Sequence, residues 1–357
     1  MNPEQFTSTL SSARPVRARP ARVGPRILEP PNVQLPAGES HTQGLRVLYL
    51  NVNNDPRCEL AGWEAYSWER RWPTLVRLVL DRRPDVFALT EITGANLLAH
   101  LAPALAEEYG LRYWERAPGD LEFCHAVFYK RTSVFVLTAV SVWMSTTPQV
   151  PSSNLFQDHQ RGRNILHLTV LPVITTPRGQ RQVVWAGQDT FSHPLHLLVT
   201  HFGLPELAKD QQAAFLRNVY SNIPPVAPVL LLGDLNSFAG PDSHADIQRG
   251  TLVAAGLEDL RARTVLESTG EQALATFEPY PVEGEETCAR IRALGPAFLD
   301  AAMARSMPSA PIGPVPRDPR TSTLRIHRVA VLDTASTPDG VPVSDHRPMQ
   351  LDAAWTV

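Results

Sequence analysis

The chain has 357 residues, of which 43% are hydrophobic, so it can bury a sizeable core and wholesale disorder is excluded. Its 33 basic and 36 acidic residues give a formal net charge of -3, which argues against a protein that coats nucleic acid by charge alone. The sequence has no apolar run long enough to span a membrane and no secretory signal in its first residues, so we expect a cytoplasmic protein. The three scattered cysteines, Cys58, Cys124 and Cys288, indicate neither a disulfide framework nor a zinc ribbon.

Residues 1–44 differ in composition from the rest of the chain. They contain five arginines and seven prolines and show no sustained hydrophobic period. Such a stretch buries too little apolar surface to offset the entropy that is lost on ordering. We therefore predict a disordered Arg/Pro-rich tail over 1–44 and one folded domain over 45–357. The tail could contact phosphates, but a solvated arm is the simpler interpretation.

From residue 45 the pattern alternates between strand-like and helix-like segments. LRVLYLNV (45–52) and DVFALT (85–90) are apolar on both faces, as inner strands are. Between them, WERRWPTLVRLVLDRR (68–83) has apolar residues at helical spacing and stops before Pro84. The segment TGANLLAHLAPALAEEYG (93–110) predicts a second helix, interrupted by Pro103 and ended by Gly110.

The remaining chain predicts seven further strands and two further helices. The strand-like runs are CHAVFYK, SVFVLTAVSVW, RNILHLTVLPV, PLHLLVT, VLLLG, RIHRVAVLD and PMQLDAAW. The helices are predicted over 205–220 and about 245–255. Strand–helix units that alternate with strand–strand runs predict an α/β sandwich of layered sheets covered by helices.

Polar side chains mark the ends of five apolar segments. They are Asn51 and Asn53, Glu91, His201, Asp234 and Asn236, and Asp345 and His346. Active sites in layered sheets collect at strand ends, because the sheet fixes the positions while the loops stay open. We therefore predict that these residues form one site.

Several of these segments resemble the ordered motifs of a known superfamily. LYLNVN, ALTEIT, LLVTHF, VLLLGDLNS and VSDHRPM are similar to motifs of the endonuclease/exonuclease/phosphatase superfamily, and the similarity spans residues 45–356. GDLN followed by SDHRP is the specific part of the resemblance. It implies the deoxyribonuclease I-like fold, a four-layer α/β/β/α sandwich.

Two weaker similarities nominate further site residues. FLDAAMARS resembles the family strand that carries an Asp before the final SDH motif, which nominates Asp300. VWMSTTP followed by RGRNILHL resembles a stretch of one superfamily branch and makes Arg163 a candidate phosphate ligand. His125 falls where the family often has a small polar residue near the pocket, so it is either a substrate-binding residue or a buried structural histidine.

Both the residue types and the resemblance indicate a hard cation. Asn, Asp and Glu oxygens without a convergent Cys/His set suit Mg²⁺ or Mn²⁺ rather than zinc. The resemblance implies a metal-dependent hydrolase that cleaves a phosphodiester or phosphomonoester bond by attack of water. It makes Glu91 the principal metal ligand, with Asn51 and Asp345 binding directly or through water.

The resemblance also implies roles for the remaining residues. Asp234 and Asn236 would orient the water and the phosphate, and His201 would donate to a phosphate oxygen or to the leaving group. His346 and Asp300 resemble the base–carboxylate dyad of the family, in which the carboxylate orients the ring. Whether Asp234 or His346 takes the proton of the water stays open.

The sequence departs from the family pattern in four places. Thr90 stands where a Gln usually precedes the metal-binding Glu, and Asn53 replaces an Asp of the first motif, which makes a second metal ion less expected. Gly203 replaces an Asp and Ala301 an aromatic residue. Together these departures indicate a divergent substrate pocket, and Asn53 remains a candidate substrate-binding residue.

Other functions stay in competition with this interpretation. A catalytically degenerate member would bind phosphate or nucleic acid without turnover. A zinc site at His193, His196 and His201 is disfavoured, because positions 196 and 201 of one strand point to opposite faces. A calcineurin-like phosphatase is disfavoured because no Gly-Asn-His motif follows Asp234. We expect a phosphate-ester substrate, no membrane contact and a monomer.

Overall fold

The computed structural model describes residues 32–34, 42–54, 64–116, 123–151, 162–175, 181–185, 194–237, 244–273, 276, 299–305, 323–332 and 336–356. The strands within them are β1 (Asn32–Gln34), β2 (Thr42–Asn51), β3 (Val86–Thr93), β4 (Tyr109–Glu115), β5 (Phe123–Lys130), β6 (Val134–Trp143), β7 (Asn164–Thr175), β8 (Arg181–Trp185), β9 (Leu195–His201), β10 (Val229–Asp234), β11 (Glu258–Asp259), β12 (Thr264–Leu266), β13 (Asp300–Arg305), β14 (Thr323–Val331) and β15 (Met349–Thr356).

Four helical segments accompany these strands. They are α1 (Trp68–Arg82), α2 (Gly94–Asn96, a π-helical turn at Leu97–Leu101, and Ala102–Leu105), α3 (Glu206–Ser221) and α4 (Ala245–Val253). Short 3-10 turns lie at Glu64–Tyr66 and Leu260–Arg263. No helix among the described residues has the length and apolarity needed to cross a membrane.

The described strands form two sheets. The first has the order β1-β8-β7-β9-β10-β13-β11, with β6 also paired to β7, and the second has the order β12-β14-β15-β2-β3-β5-β4. Strands β9 and β10 are parallel, and so are β2 and β3. Parallel neighbours end at the same edge of a sheet, so residues that follow β2 and β3, or β9 and β10, come to lie side by side.

Alternation along β2 shows how the sheets stack. Leu45 and Val47 face the other sheet and share a core with Leu166 and Leu230. Leu48, on the opposite face of the strand, belongs to a second core that includes helices α1 and α2. Because successive residues point to opposite faces, a strand that is apolar throughout is covered on both sides.

Helices cover the outer face of each sheet. Leu75 and Val79 of α1 pack on the second sheet, and Phe215 and Leu216 of α3 pack on the first. Helix α1 ends as predicted, with Arg83 in a left-handed cap whose N–H donates to the Val79 carbonyl. The predicted four-layer α/β/β/α sandwich is therefore confirmed.

The predicted C-terminal end of the second helix is wrong. Helix α2 stops at Leu105, and Tyr109–Glu115 forms strand β4, paired with β5. Gly110 lies inside this strand, where a Cβ atom would overlap the ring of Tyr129. The glycine therefore meets a packing requirement and not a helix end. The short strands β8, β11 and β12 were not predicted either.

Part of the predicted tail is paired in the sheets. Residues 32–34 form β1 beside β8, and β2 begins at Thr42, so strand pairing starts before residue 45. The rest of 1–44 lies outside the described residues, as do Cys58, Cys288 and His193. Cys124 is a buried free thiol in β5.

Candidate active site

Three neighbouring strands of the first sheet place polar side chains in one row. Asp234, at the end of β10, pairs in register with His201 of β9 and with Asp300 of β13. All three are buried at the edge of the core between the sheets. Gly233, directly before Asp234, lets β9 and β10 lie this close, because a Cβ there would overlap the Thr200 carbonyl oxygen. The register thus joins residues that are far apart in the sequence.

The second sheet contributes Asn51, the last residue of β2, and Glu91, which lies two residues before the end of β3. Asn51 donates from Nδ2 to Asp234 Oδ2 across the sandwich, at 2.9 Å. Glu91 lies where the pairing of β3 with β5 is irregular. Such an irregularity changes the direction of a side chain, and Glu91 Oε1 comes to 3.5 Å from His201 Nδ1 of the other sheet.

Backbone strain is concentrated at this site. Four non-glycine residues of the described part have a positive φ angle, and three of them are Asn53, Glu91 and Asn236. Such conformations are costly and persist where surrounding contacts hold them. The N–H of Asn53 donates to Asn51 Oδ1 (3.0 Å), and the N–H of Asn236 donates to Asp234 Oδ1 (2.7 Å).

The position predicted for Asp345 and His346 was wrong in one respect. They do not end a strand but lie in the loop before β15. Ser344 anchors this loop, because its Oγ donates to the Asn51 carbonyl (2.7 Å) and accepts from the His346 N–H (3.1 Å). Asp345 Oδ2 accepts from Asn53 Nδ2 at 2.7 Å, so Asn53 orients a carboxylate of the site.

His346 and Asp300 are in direct contact. His346 Nδ1 lies 2.9 Å from Asp300 Oδ2, and both side chains are buried. Burial opposes a charge on the ring, but the charge of Asp300 and its hydrogen bond outweigh that effect and hold the pKa of His346 well above its ordinary value. Nδ1 thus donates to Asp300, while Nε2 lies 3.8 Å from Asp234 Oδ2.

Three carboxylates of the site, Asp234, Asp345 and Glu91, have a raised affinity for protons. Burial raises the pKa of Asp234 and of Asp345, although the charge of His346 opposes the rise in both. Burial also raises the pKa of Glu91 to about 7, against the opposing charge of Arg116. Several buried carboxylates with raised pKa values indicate a site that lacks sufficient positive charge.

His201 is kept neutral. Burial, followed by the charge of Arg116, lowers the pKa of His201 well below its ordinary value. The buried Arg116 guanidinium, which only donates, contacts Nδ1. Nε2 lies 3.6 Å from Asp234 Oδ2 and 2.8 Å from the Asn236 amide nitrogen, which is also a donor. The neutral ring of His201 thus lies between Arg116, Asn236 and Asp234 at the centre of the site.

His125 and Arg163 lie behind His201. His125 is fully buried in β5, its Nε2 is 3.2 Å from the Asn164 carbonyl, and burial holds its pKa well below the ordinary value. Arg163 is half-buried just before β7, and its carbonyl accepts from the Met144 N–H. The charge of Arg163 contributes to the lowered pKa of His201. A substrate-binding role for His125 stays a prediction.

Sequence reasoning missed Arg71, a wholly buried residue of α1. Its guanidinium donates to the carbonyls of Val52 (2.8 Å), Asn53 (2.9 Å) and Val343 (2.7 Å). It therefore ties the turn after β2 to the loop that carries Asp345. The helical spacing of positions 68, 71 and 75 places this residue on the buried face of α1, and that was the available signal.

Arg116 and Lys209 were missed as well. Lys209 of α3 is 1% exposed, and its Nζ donates to the Asn236 carbonyl at 2.7 Å. Lys209 therefore stabilises the turn after Asp234 on the side that faces helix α3. Arg116 follows β4, the strand that was mistaken for a helix, so its position beside His201 could not be inferred.

The donor set fits a divalent cation. Asp234, Asp300 and His346 each offer an atom within 4.8 Å of the others. Glu91 and Asp345 add carboxylates whose pKa values are raised by burial. Clustered buried carboxylates repel one another when ionised, and a cation of the Mg²⁺ or Mn²⁺ type, which prefers oxygen ligands, relieves that repulsion.

Comparisons with known proteins agree with this geometry. The profile of the Endonuclease/Exonuclease/phosphatase family matches residues 48–346. A sequence comparison with curated proteins finds no match. The matched residues include every candidate site residue described above.

Several solved structures have a similar fold, and three of them are described below. An endonuclease/exonuclease/phosphatase from Bacteroides vulgatus is 17% identical in sequence, with a TM-score of 0.62. The matched region covers 87% of this chain and 98% of the Bacteroides vulgatus chain. The mannosyl-6-phosphatase of Bacteroides thetaiotaomicron is 18% identical, with a TM-score of 0.62 and coverage of 87% and 99%. D. rerio TDP2 in complex with a single-strand DNA product is 17% identical, with a TM-score of 0.54 and coverage of 87% and 98%. At these identities the similarity shows the fold.

Proposed function

The chain belongs to the Endonuclease/Exonuclease/phosphatase family, and from this premise we propose that it is a divalent-metal-dependent phosphoesterase that uses water to cleave a phosphate ester. The observation that carries the proposal is the buried cluster in which Asp234 contacts Asn51 and lies within 4 Å of both His201 and His346. Such a cluster combines an acceptor for the proton of water with donors for a phosphate oxygen.

Glu91, Asn51 and Asp345 would hold Mg²⁺ or Mn²⁺. Their oxygen atoms are the ligand type that these ions prefer, and the Glu91 side chain is 20% exposed, so an ion can reach it. Asp300 is less suited, because it is fully buried and its Oδ2 is hydrogen-bonded to His346. When bound, the cation would polarise a phosphate oxygen and stabilise the charge of the leaving oxygen.

Asp234, His201 and His346 would carry out the remaining steps of the reaction. Asp234 would accept the proton of the attacking water, because its carboxylate is fixed by the Asn236 N–H and by Asn51 Nδ2. His201, whose ring is neutral, would donate from a ring N–H to a phosphate oxygen. His346, oriented by Asp300, would place a second N–H and a positive charge opposite the charge that develops on the phosphate.

A small phosphoester or a strand end is the substrate class that we propose. The net charge of -3 is unfavourable for a protein that must neutralise many phosphates of a long duplex. Among the similar structures, one is a mannosyl-6-phosphatase and another holds a single-strand DNA product, so both substrate types occur on this fold. Arg163 stays a candidate phosphate ligand in this proposal.

A substrate panel with Mg²⁺ and Mn²⁺ tests the proposal. The panel contains p-nitrophenyl phosphate, bis-p-nitrophenyl phosphate, nucleotides, RNA and plasmid DNA. We expect turnover of at least one of them, lost with a chelator and restored by either metal, and abolished in Asp234→Asn. The control Asp339→Asn, which removes a surface partner of Arg70, should keep full activity.

Two results would contradict the proposal. Full activity after exhaustive chelation would exclude a metal-dependent mechanism. Salt-dependent binding of phosphate or nucleic acid without any turnover would favour the catalytically degenerate alternative.

A further inference from the structure

Asp300 has one oxygen without a hydrogen-bond partner in the described part of the chain. Its Oδ2 is bonded to His346 Nδ1, but its Oδ1 is buried and accepts no hydrogen bond. The residue is 0% exposed, so water cannot easily supply the missing donor. An unsatisfied oxygen of a buried carboxylate is costly, and it also leaves the carboxylate free to turn about its Cβ–Cγ bond.

A buried tyrosine of the opposite sheet faces the same core. Tyr49 of β2 is 1% exposed and belongs, like Ala302 of β13, to the core between the sheets. It lies two residues before Asn51, whose Nδ2 reaches Asp234, the register partner of Asp300. The Tyr49 hydroxyl is 3.0 Å from Thr90 Oγ1. A tyrosine hydroxyl carries its proton at neutral pH and can therefore donate it.

The contact with Thr90 allows Tyr49 to donate its proton elsewhere. Either hydroxyl can be the donor of this bond. If Thr90 donates, the Tyr49 proton is available to Asp300, the neighbouring acceptor that needs it. Thr90 is also the position at which this chain departs from the Gln expected before Glu91.

We propose that Tyr49 is a positioning residue whose hydroxyl donates to Asp300 Oδ1 and thereby orients the carboxylate that holds His346. The inference rests on the proposed function for its effect on turnover. Tyr49 does not touch substrate in this arrangement. It acts through Asp300 and reaches it from the opposite sheet, so it also couples the spacing of the two sheets to the direction of the His346 ring.

Replacement of Tyr49 by Phe removes only the hydroxyl and is the appropriate test. Tyr109→Phe is the matched control, because Tyr109 is 2% exposed in the same sheet and its hydroxyl donates to the Pro84 carbonyl at 2.9 Å. Both variants lose one buried phenol bond, so we expect similar decreases in melting temperature. Tyr49→Phe should lower kcat about tenfold with KM nearly unchanged, and Tyr109→Phe should change neither.

Two further variants test the connection. Thr90→Val removes the donor to Tyr49 without a change in volume and should lower kcat less than Tyr49→Phe does. In an Asp300→Asn background, Tyr49→Phe should have no further effect on kcat, because the orienting charge is already absent. Additive losses in that double variant would overturn the proposal.

Nitrogen-15 NMR of the His346 ring gives a readout that needs no turnover. We expect the Nδ1 signal of the full chain to shift in Tyr49→Phe and to stay in place in Tyr109→Phe. Equal spectra and equal kcat values for the two variants, with an active wild type, would overturn the inference. An inactive wild type with a shifted signal only in Tyr49→Phe would contradict the proposed function and leave this inference standing.

Discussion

Glu91 is the residue at which backbone strain, burial and charge coincide. Its φ is +59°, and burial raises the pKa of its carboxyl to about 7. A carboxyl that holds its proton below that pH must release it to bind a cation. We therefore expect the affinity for Mg²⁺ to rise from about pH 6 to about pH 8, with proton release on binding. Calorimetry in two buffers of different ionisation enthalpy measures both quantities.

Variants of two glutamates complete this experiment. Glu91→Gln should bind Mg²⁺ weakly at both pH values and release no proton. Glu267→Gln should behave like the wild type, because Glu267 pairs with Arg82 away from the site. A wild-type affinity that does not change with pH would show that Glu91 is not the group that exchanges a proton for the metal ion.

The pair of His346 and Asp300 leads to a second prediction. His346→Ala should lower kcat by at least ~10²-fold, since it removes both an N–H and a positive charge beside Asp234. Asp300→Asn should lower it less, because the ring stays but loses the charge that orients it. Steady-state kinetics on a small phosphoester, with circular dichroism to check the fold, measures both effects.

A second histidine–aspartate pair supplies the control. His244 Nδ1 lies 2.6 Å from Asp210 Oδ2, and the His244 side chain is 41% exposed. His244→Ala removes a comparable contact outside the proposed machinery, so kcat should stay within about twofold of the wild type. A wild-type rate in Asp300→Asn would exclude an orienting role for Asp300.

Helix α1 supports the site through Arg71. This side chain connects the turn after β2 with the loop that carries Asp345, two segments far apart in the sequence. Arg71→Met should leave three buried carbonyls without their charged donor and destabilise the fold by about 3 kcal/mol. It should also lower kcat, because Asn53 and Asp345 lose their common support. Arg71→Lys should recover part of both, and denaturant unfolding with steady-state kinetics measures the difference.

Arg305 is a suitable control for this helix contact. It also donates to carbonyls, those of Ala227 (3.0 Å) and Pro224 (2.8 Å), but it lies at the other end of β13 from Asp300. Arg305→Met should lower stability without a change in kcat. If both variants lose the same stability and neither loses activity, Arg71 has no special connection to the site.

The sandwich as a whole begins earlier in the chain than residue 45. Strand β1 pairs with β8 at the edge of the first sheet, and β2 starts at Thr42. We expect a variant that starts at residue 32 to keep the melting temperature of the full chain within about 2 °C. A variant that starts at residue 42 loses β1 and should melt a few degrees lower.

Differential scanning calorimetry of the two truncated chains measures the contribution of β1 directly. Turnover of a small phosphoester should persist in both, because β1 and the site lie on different parts of the first sheet. Equal melting temperatures in the two variants would show that β1 adds nothing to stability. A large loss in the variant that starts at residue 32 would show that the first 31 residues stabilise the domain, against the predicted tail.

The sequence by itself determined the layers of this protein and the residues to examine. Hydrophobic period and the positions of Pro84 and the GDLN and SDHRP motifs depend on residues close together in the chain, so they can be interpreted without a structure. For this reason the sandwich was predicted, and His201, Asp234 and His346 were nominated together, while Asp300 was nominated from a weaker similarity to a family strand.

The tertiary structure alone decided how these residues meet. The row of His201, Asp234 and Asp300 depends on the register of three strands, and the direction of Glu91 depends on an irregularity between β3 and β5. Gly110 led to a wrong prediction of a helix end, because glycine is common at helix ends but is also needed in a strand where a neighbouring ring leaves no space for a Cβ atom. Burial, shared charge and contacts between distant residues set the pKa values and the partners, and none of these is a local property of the chain.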